Sequence, residues 1–102
     1  MKEYDVFIPL CYNDGTPIES SRFQNLQAQL LEHFDGLTYF PQPNQGFWKF
    51  GEMTYRDQIV IYRVITQDSA GARRFLSALK QQLKKDFQQE EILIIEREVG
   101  LL

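Results

Sequence analysis

The segment NQGFWKFGEMTYRDQIVIYRV, residues 44–64, decides the fold because it predicts two strands joined by a tight turn at GEM. Phe47, Trp48 and Phe50 precede the turn, and β-branched residues are frequent after it, which is typical of paired strands. We interpret Trp48 and Tyr55 as a cross-strand aromatic pair of this hairpin. The alternative is that these aromatic residues line a ligand pocket, and pairing does not exclude that use.

The elements on either side of the hairpin complete the order strand, helix, strand or hairpin, strand, helix, strand. Strands are predicted at residues 4–11, 37–40, 47–50, 54–66 and 90–98, helices at 20–34 and 68–87, and a breaker-rich loop at 41–46. This order predicts an α+β fold of the ferredoxin-like split βαβ type (βαββαβ), with an antiparallel sheet and two helices on one face. The 102 residues are expected to form a single domain, residues 1–102.

Both predicted helices have end signals and an apolar stripe. Ser21 and Gln24 have the spacing of a capping box, and Gly36 stands where a C-cap glycine belongs. Asp68 is a candidate N-cap for the second helix. The residues predicted to be buried are Phe23, Leu26, Leu30, Leu31 and Phe34 in the first helix, and Ala72, Phe75, Leu76, Leu79, Leu83 and Phe87 in the second.

The strands have apolar residues at alternating positions on both faces. In the first strand, Val6, Ile8 and Leu10 lie on one face and Phe7, Pro9 and Cys11 on the other. In the strand after the turn, Ile59, Ile61 and Ile65 alternate with Val60, Tyr62 and Val64. In the last strand, Ile92 and Ile94 alternate with Leu93 and Ile95. Helices cover one face, so the other needs a cover, and we expect a second copy of the chain to provide it in a dimer or trimer. The alternative cover is the proline-rich loop together with Val99, Leu101 and Leu102.

Composition narrows the classes of partner. The net charge of -3 and the pI of about 5.1 argue against a nucleic-acid partner. The single cysteine, Cys11, cannot form an internal disulfide, which favours a reducing compartment. The apolar run in MKEYDVFIPL is too short for a signal peptide or a membrane span, so a cytoplasmic location and no membrane partner are expected.

Three polar features have a structural interpretation that outweighs a chemical one. Cys11 is predicted to be a small buried hydrophobe, and His33 to interact with the last carbonyls of the first helix. Asn13–Asp14–Gly15 is a turn sequence, although an acid at that place resembles the metal-binding aspartate of small CRISPR-associated endoribonucleases. With one histidine, one cysteine and no glycine-rich phosphate loop, no metal and no cofactor is expected.

The candidate ligand-binding residues lie in two segments. Trp48, Tyr55, Arg56 and Asp57 surround the predicted turn, where they can line a pocket for a small planar or anionic molecule. Arg73 and Arg74 lie in the first turns of the second helix, whose N–H groups favour an anion. A solvated helix face is the alternative interpretation of these two arginines.

The stretches PLCYNDGTPI, FDGLTYFP, GFWKFGEMTYRDQIVIYRV and FQQEEILI together resemble a family of small bacterial proteins without an assigned activity. The positions that carry the resemblance are Gly15, Gly36, Thr38, Gly46, Trp48, Tyr55 and Asp57. The resemblance implies a ferredoxin-like fold, distantly similar in architecture to the PII signalling-protein group. Members of that group are trimers that bind nucleotides between subunits, but their signature motifs are missing here, so nucleotide binding is an analogy.

Two functions are compatible with these features, and a third class, an interaction partner for another protein, would use the same apolar sheet face. The first is a non-catalytic, homo-oligomeric module that binds or senses a small ligand at a subunit boundary. The alternative is a cofactor-independent enzyme of the dimeric α+β barrel type, with Tyr55, Asp57 or His33 as acid–base groups. The sequence shows no nucleophile–base pair, which favours the first.

Overall fold

The alternation of side chains along the strands places one apolar set under two helices. The computed structural model of the protein describes residues 1–102, apart from the side chains of Pro43 and Phe50. Its elements are β1 (Lys2–Pro9), α1 (Ser20–His33), β2 (Leu37–Phe50), β3 (Met53–Thr66), α2 (Ser69–Asp86) and β4 (Leu93–Glu98). The four strands pair antiparallel in the order β2-β3-β1-β4. The ferredoxin-like α+β fold predicted from the sequence is confirmed.

The core lies between the sheet and the two helices. Tyr4, Val6 and Ile8 of β1 are buried, as are their β3 neighbours Val60, Tyr62 and Val64. The helices contribute Leu26, Leu30, Ala72, Leu76, Leu79 and Leu83 to the same cluster, with Phe34 and Phe87 at their C-terminal ends. Nearly all of the predicted stripe residues therefore face the sheet. Leu31 is the exception, because its side chain is 52% exposed.

Strand β2 continues through the segment that was expected to be a loop. Phe40 pairs with Ile61 and Asn44 with Ile59, so four steps of β2 match two steps of β3. The surplus is taken up by a register shift between Phe40 and Asn44. Strand β2 lies at the edge of the sheet, where Pro41 interrupts no ladder on the free side. The prediction of a loop at residues 41–46 was wrong because an edge strand with a bulge tolerates proline.

The helix ends match the sequence signals only in part. The N-cap of α1 is Glu19, without a side-chain hydrogen bond, so the capping box predicted at Ser21 and Gln24 is wrong. Phe34, with extended backbone angles, ends α1, and Gly36 does not have a positive φ. Asp68 is confirmed as the N-cap of α2, because its side chain accepts a hydrogen bond of 2.9 Å from the backbone N–H of Gly71.

We expect Asp68→Ala to lower the free energy of unfolding by about 1 kcal/mol, since the first turn of α2 loses its capping acceptor. Urea denaturation of the two proteins measures the difference. Asp68→Asn is the matched control, because asparagine caps about as well as aspartate and should retain most of the stability. Equal losses in both variants would show that the carboxylate acts through something other than the cap.

Candidate functional site

The hairpin formed by β2 and β3 extends beyond the rest of the sheet. Each of its strands has 14 residues, whereas β1 has 8 and β4 has 6. Strand β1 pairs with β3 from Ile59 to Thr66, so residues 53–57 of β3 pair with β2 alone. Gly51, with φ of 63°, lies at the turn. The distal hairpin is therefore a two-stranded ribbon with both faces available.

Alternation divides the side chains of this ribbon between two surfaces. Trp48 pairs with Tyr55 and Gly46 with Asp57 on one surface, which we call the tryptophan face. The opposite surface, which we call the basic face, carries Phe47 paired with Arg56 and Lys49 paired with Thr54. The structure therefore brings three of the predicted site residues together, Trp48, Tyr55 and Asp57. It places Arg56 on the opposite surface.

The aromatic pair predicted from the sequence is confirmed in register, but it does not fill a core. Trp48 is 42% exposed and Tyr55 is 48% exposed. The indole Nε1 of Trp48 lies over Gly46, 3.5 Å from the position that a Cβ would occupy there. The Tyr55 hydroxyl contacts Met53 Sδ at 3.7 Å, towards the turn. The two rings thus point in opposite directions along the ribbon and leave aromatic surface accessible.

The two charged residues of the predicted site have different surroundings. Asp57 is half-buried, and within the described side chains its carboxylate makes no hydrogen bond or ion pair. The Arg56 guanidinium carbon lies 6.0 Å from the centre of the Phe47 ring, a cation–π arrangement. The tryptophan face is therefore acidic and aromatic, and the basic face is cationic and aromatic.

The sheet face away from the helices, which we call the open face, has an ionic network at its centre. Arg63 donates two hydrogen bonds to Asp5, Nε to Oδ1 at 2.8 Å and Nη2 to Oδ2 at 3.0 Å. Arg97 Nη1 donates to the same Oδ2 at 2.8 Å, and Glu3 lies 3.4 Å from both arginines. The Phe40 ring lies 5.0 Å from the Arg63 guanidinium carbon. These contacts leave Asp5 only 2% exposed.

This network corrects the expectation of a wholly apolar open face. Phe7, Ile61 and Ile95 are half-buried there, but Asp5 and Arg63 occupy the positions between them. Sequence reasoning missed these two residues, although a charge in the middle of each of two predicted strands was the available signal. Burial disfavours the charged carboxylate, but hydrogen bonds from Arg63 and Arg97 outweigh it and hold the pKa of Asp5 below its ordinary value.

A second polar cluster lies in a groove of about 240 Å³ between α2 and β4. Arg73 binds Glu96 through two hydrogen bonds of 2.7 and 2.6 Å, and the Tyr4 hydroxyl donates to Glu96 at 2.7 Å. Burial and this hydrogen bond raise the pKa of Tyr4 to about 12. Hydrogen bonds from Arg73 and Tyr4 lower the pKa of Glu96 to about 2. The Arg73 guanidinium is thus engaged by a carboxylate of the same chain.

The two predicted arginines of α2 lie far from the tryptophan face. Helix α2 begins just after Thr66, at the opposite end of β3 from the turn. The eleven steps from Tyr55 to Thr66 span about 36 Å in an extended strand. Arg74 is exposed on α2, next to Arg73. Within one chain, Arg73 and Arg74 therefore do not share a site with Trp48.

The remaining candidate groups have structural contacts. His33 stacks on Phe75 with 3.9 Å between ring centres and 5° between planes. Asp14 accepts hydrogen bonds from the backbone N–H and the hydroxyl of Thr16, which lower its pKa and fix the turn. Cys11 is half-buried beside Pro17 rather than fully buried as expected. Within the described residues, no three His, Cys, Asp or Glu side chains are grouped to hold a metal ion.

The arrangement of strands and helices defines a ferredoxin-like α+β protein, and comparison with known proteins agrees at this level. No protein-family model and no curated protein matches the chain. A solved structure of a phage SAM lyase in complex with S-methyl-5'-thioadenosine is similar, with a TM-score of 0.68 and 16% identity over 95% of this chain and 80% of the lyase. A mutant of CutA1 from Pyrococcus horikoshii OT3 is similar with a TM-score of 0.62 and 13% identity over 100% of this chain and 86% of CutA1.

These likenesses establish the fold of the chain and not its activity. The CutA1 likeness fits the distant architectural similarity to the PII group that the sequence implied, without identifying a family. In the part of the chain that the structure describes, neither helix is long and apolar enough to cross a membrane.

We expect Asp5→Asn to lower the free energy of unfolding at neutral pH by about 1.5–3 kcal/mol, since two arginines lose a buried ionic acceptor. The folded-state pKa of Asp5 is depressed, so its contribution is complete above the ordinary pKa of an aspartate and is lost as the pH falls through the folded value. The difference between the two proteins should therefore narrow only in acid, below about pH 4.

Urea denaturation at a series of pH values checks this expectation. Asp35→Asn is the matched control, because Asp35 is an exposed acid in the loop after α1. If the difference in the free energy of unfolding between wild type and Asp5→Asn stayed unchanged down to the lowest pH at which both proteins fold, the ionic interpretation would be contradicted.

Proposed function

We propose that the protein is a non-catalytic, homo-oligomeric module, one domain over residues 1–102, that binds a small ligand on its projecting hairpin. The observation that carries this proposal is the exposure of Trp48 and Tyr55 on a ribbon that no other strand pairs with. Large aromatic side chains left accessible on one surface are typical of a binding site.

Assembly through the open face is supported by what lies on it. Phe7, Ile61 and Ile95 surround the ionic network, and a second copy would remove them from water. The charges at the centre already satisfy one another within the chain, so covering them leaves no unpaired carboxylate. Leu101 and Leu102 are exposed, so the tail does not serve as the cover in this structure.

Assembly also decides which residues act together. The tryptophan face continues from the open face, because Asp57, Ile59 and Ile61 alternate along the same side of β3. A neighbouring copy on the open face would therefore lie beside Trp48. Arg56, Arg73 and Arg74 contribute to the same ligand only if they come from that neighbour.

A nucleoside is the first ligand to test. The phage lyase of similar fold is described with S-methyl-5'-thioadenosine, whose purine ring offers a planar surface. An accessible indole ring can stack on a purine ring through the π-faces alone, without hydrogen bonds that identify the base. Trp48 is the only tryptophan, so its fluorescence reports directly on this event.

The second candidate function is that of a cofactor-independent enzyme. The observation that favours it is the similarity in fold to a phage SAM lyase. Tyr55 and Asp57 share the tryptophan face as candidate acid–base groups, whereas His33 stacks on Phe75 at the end of α1. Turnover of SAM by the purified protein, followed with pH for wild type and Asp57→Asn, tests this role. Turnover that is identical in the two proteins would remove Asp57 from the chemistry.

We expect Trp48→Ala to weaken binding of S-methyl-5'-thioadenosine by about fivefold to a hundredfold, the range of one lost stacking contact. Calorimetric titration measures the affinity, because this variant lacks the fluorophore. Phe47→Ala is the control, since Phe47 is also exposed but lies on the basic face. Equal losses in both variants would mean that the hairpin as a whole, rather than the tryptophan face, holds the nucleoside.

We expect native mass spectrometry to show a dimer or trimer of the wild-type chain and a monomer of Ile61→Lys. The new ammonium would be buried without a partner between copies. Leu31→Lys is the matched control, because Leu31 is exposed on α1, away from the sheet. A monomeric wild-type protein at working concentration would rule out assembly through the open face.

A further inference from the structure

Each surface of the distal hairpin carries charged side chains of one sign. Asp57 is the charged residue of the tryptophan face, and Lys49 and Arg56 project from the opposite surface. The nearest arginine of the open face, Arg63, is six residues along β3 from Asp57 and is held by Asp5. A ligand on the tryptophan face therefore meets an aromatic surface and an uncompensated carboxylate.

We propose that the tryptophan face binds an organic cation of the quaternary ammonium or sulfonium class, a proposal that rests on the ligand-binding function above. The face of an indole ring carries negative electrostatic potential and attracts a methylated cation. A carboxylate beside it adds a direct charge interaction and disfavours an anion. The indole and the carboxylate together define the chemical class of the ligand more narrowly than aromatic stacking alone does.

The local geometry places the indole beside the residue that carries the carboxylate. Trp48 turns towards the body of the sheet, so its Nε1 edge lies over Gly46. Gly46 is the direct cross-strand partner of Asp57, and such partners lie about 4.5–5.5 Å apart. The indole therefore extends towards the residue pair that carries the carboxylate. Glycine at this position supplies no side chain that would separate them.

The basic face explains why an anion belongs elsewhere. Arg56 and Lys49 do not share a surface with Trp48, and Arg56 lies over Phe47. An anion stacked on Trp48 would face Asp57 without a cation from the same surface. The ribbon thus separates the aromatic pair, Trp48 and Tyr55, from Arg56, the residue of the same segment that could bind an anion.

A matched pair of probes tests the charge requirement. Choline and 3,3-dimethylbutan-1-ol have the same shape, but a carbon replaces the charged nitrogen in the alcohol. We expect choline to quench Trp48 fluorescence with a dissociation constant about fivefold or more below that of the alcohol, the combined effect of an exposed cation–π contact and an exposed charge pair. Titrations are compared at equal ionic strength, with sodium chloride replacing choline chloride as the blank.

Two variants assign the effect to the carboxylate. Asp57→Asn should raise the dissociation constant for choline by the share of the charge pair, about twofold to fivefold, and leave the dissociation constant for the alcohol unchanged. The smaller preference that remains is the share of the cation–π contact with Trp48. Lys49→Gln is the matched control on the basic face and should leave the preference for choline intact. A preference for choline that is as large in Asp57→Asn as in the wild-type protein would overturn the proposal.

The experiment separates this proposal from the function on which it rests. Quenching by S-methyl-5'-thioadenosine together with equal affinities for choline and the alcohol would overturn the cation site and leave the ligand-binding function standing. Absence of quenching by the nucleoside and by choline would overturn both.

Discussion

Strand β3 pairs with β2 from Met53 to Val64 but with β1 only from Ile59 to Thr66, and this unequal pairing shapes the rest of the molecule. Where both neighbours are present, one side of β3 faces the helices and contributes Val60, Tyr62 and Val64 to the core. Where only β2 remains, the same two-residue alternation exposes both sides to solvent. A single backbone geometry therefore produces a buried core at one end and an accessible ribbon at the other.

The network of Asp5, Arg63 and Arg97 has a different effect on the open face. Aliphatic residues in place of the whole network would suit burial as well, since ion pairs taken out of water seldom add stability over packed hydrophobic groups. The charges instead fix the orientation of two arginines across three neighbouring strands, β3, β1 and β4. Such fixed groups allow a partner surface to dock in one register, whereas uniform apolar contact allows several.

The sequence predicted the order of elements and most of the core because periodicity and burial act locally along each segment. Leu26, Leu30, Leu76 and Leu83 follow from helical spacing alone. The course of β2 was not predictable in this way, because proline is excluded from central strands but tolerated at an edge, and the position of a strand in the sheet is not a local property. For the same reason, the sequence showed that Asp5 and Arg63 are charged, but it did not show that they pair, because their pairing depends on the register of β1 against β3.

The candidate site shows the same limit at closer range. The facing of Trp48 and Tyr55 follows from the turn and was predicted, while the separation of Arg56 from them follows from alternation once the register is known. The distance between Arg73 and Trp48 within one chain depends on the direction of β3 through the sheet. The sequence therefore suggested that these residues form one pocket, whereas the fold places Arg56 on the opposite surface of the hairpin and Arg73 far from Trp48 within one chain.

The surplus of residues in β2 between Phe40 and Asn44 bears on the register of the hairpin beyond it. Phe40 and Asn44 pair with Ile61 and Ile59, which lie on the same side of β3, so side chains beyond the surplus keep the facing that they have before it. A slip of one residue in the pairing beyond this segment would exchange Trp48 with Phe47 and reverse the polarity of the two surfaces. An irregularity that absorbs an inserted residue locally, without such a slip, would preserve both surfaces.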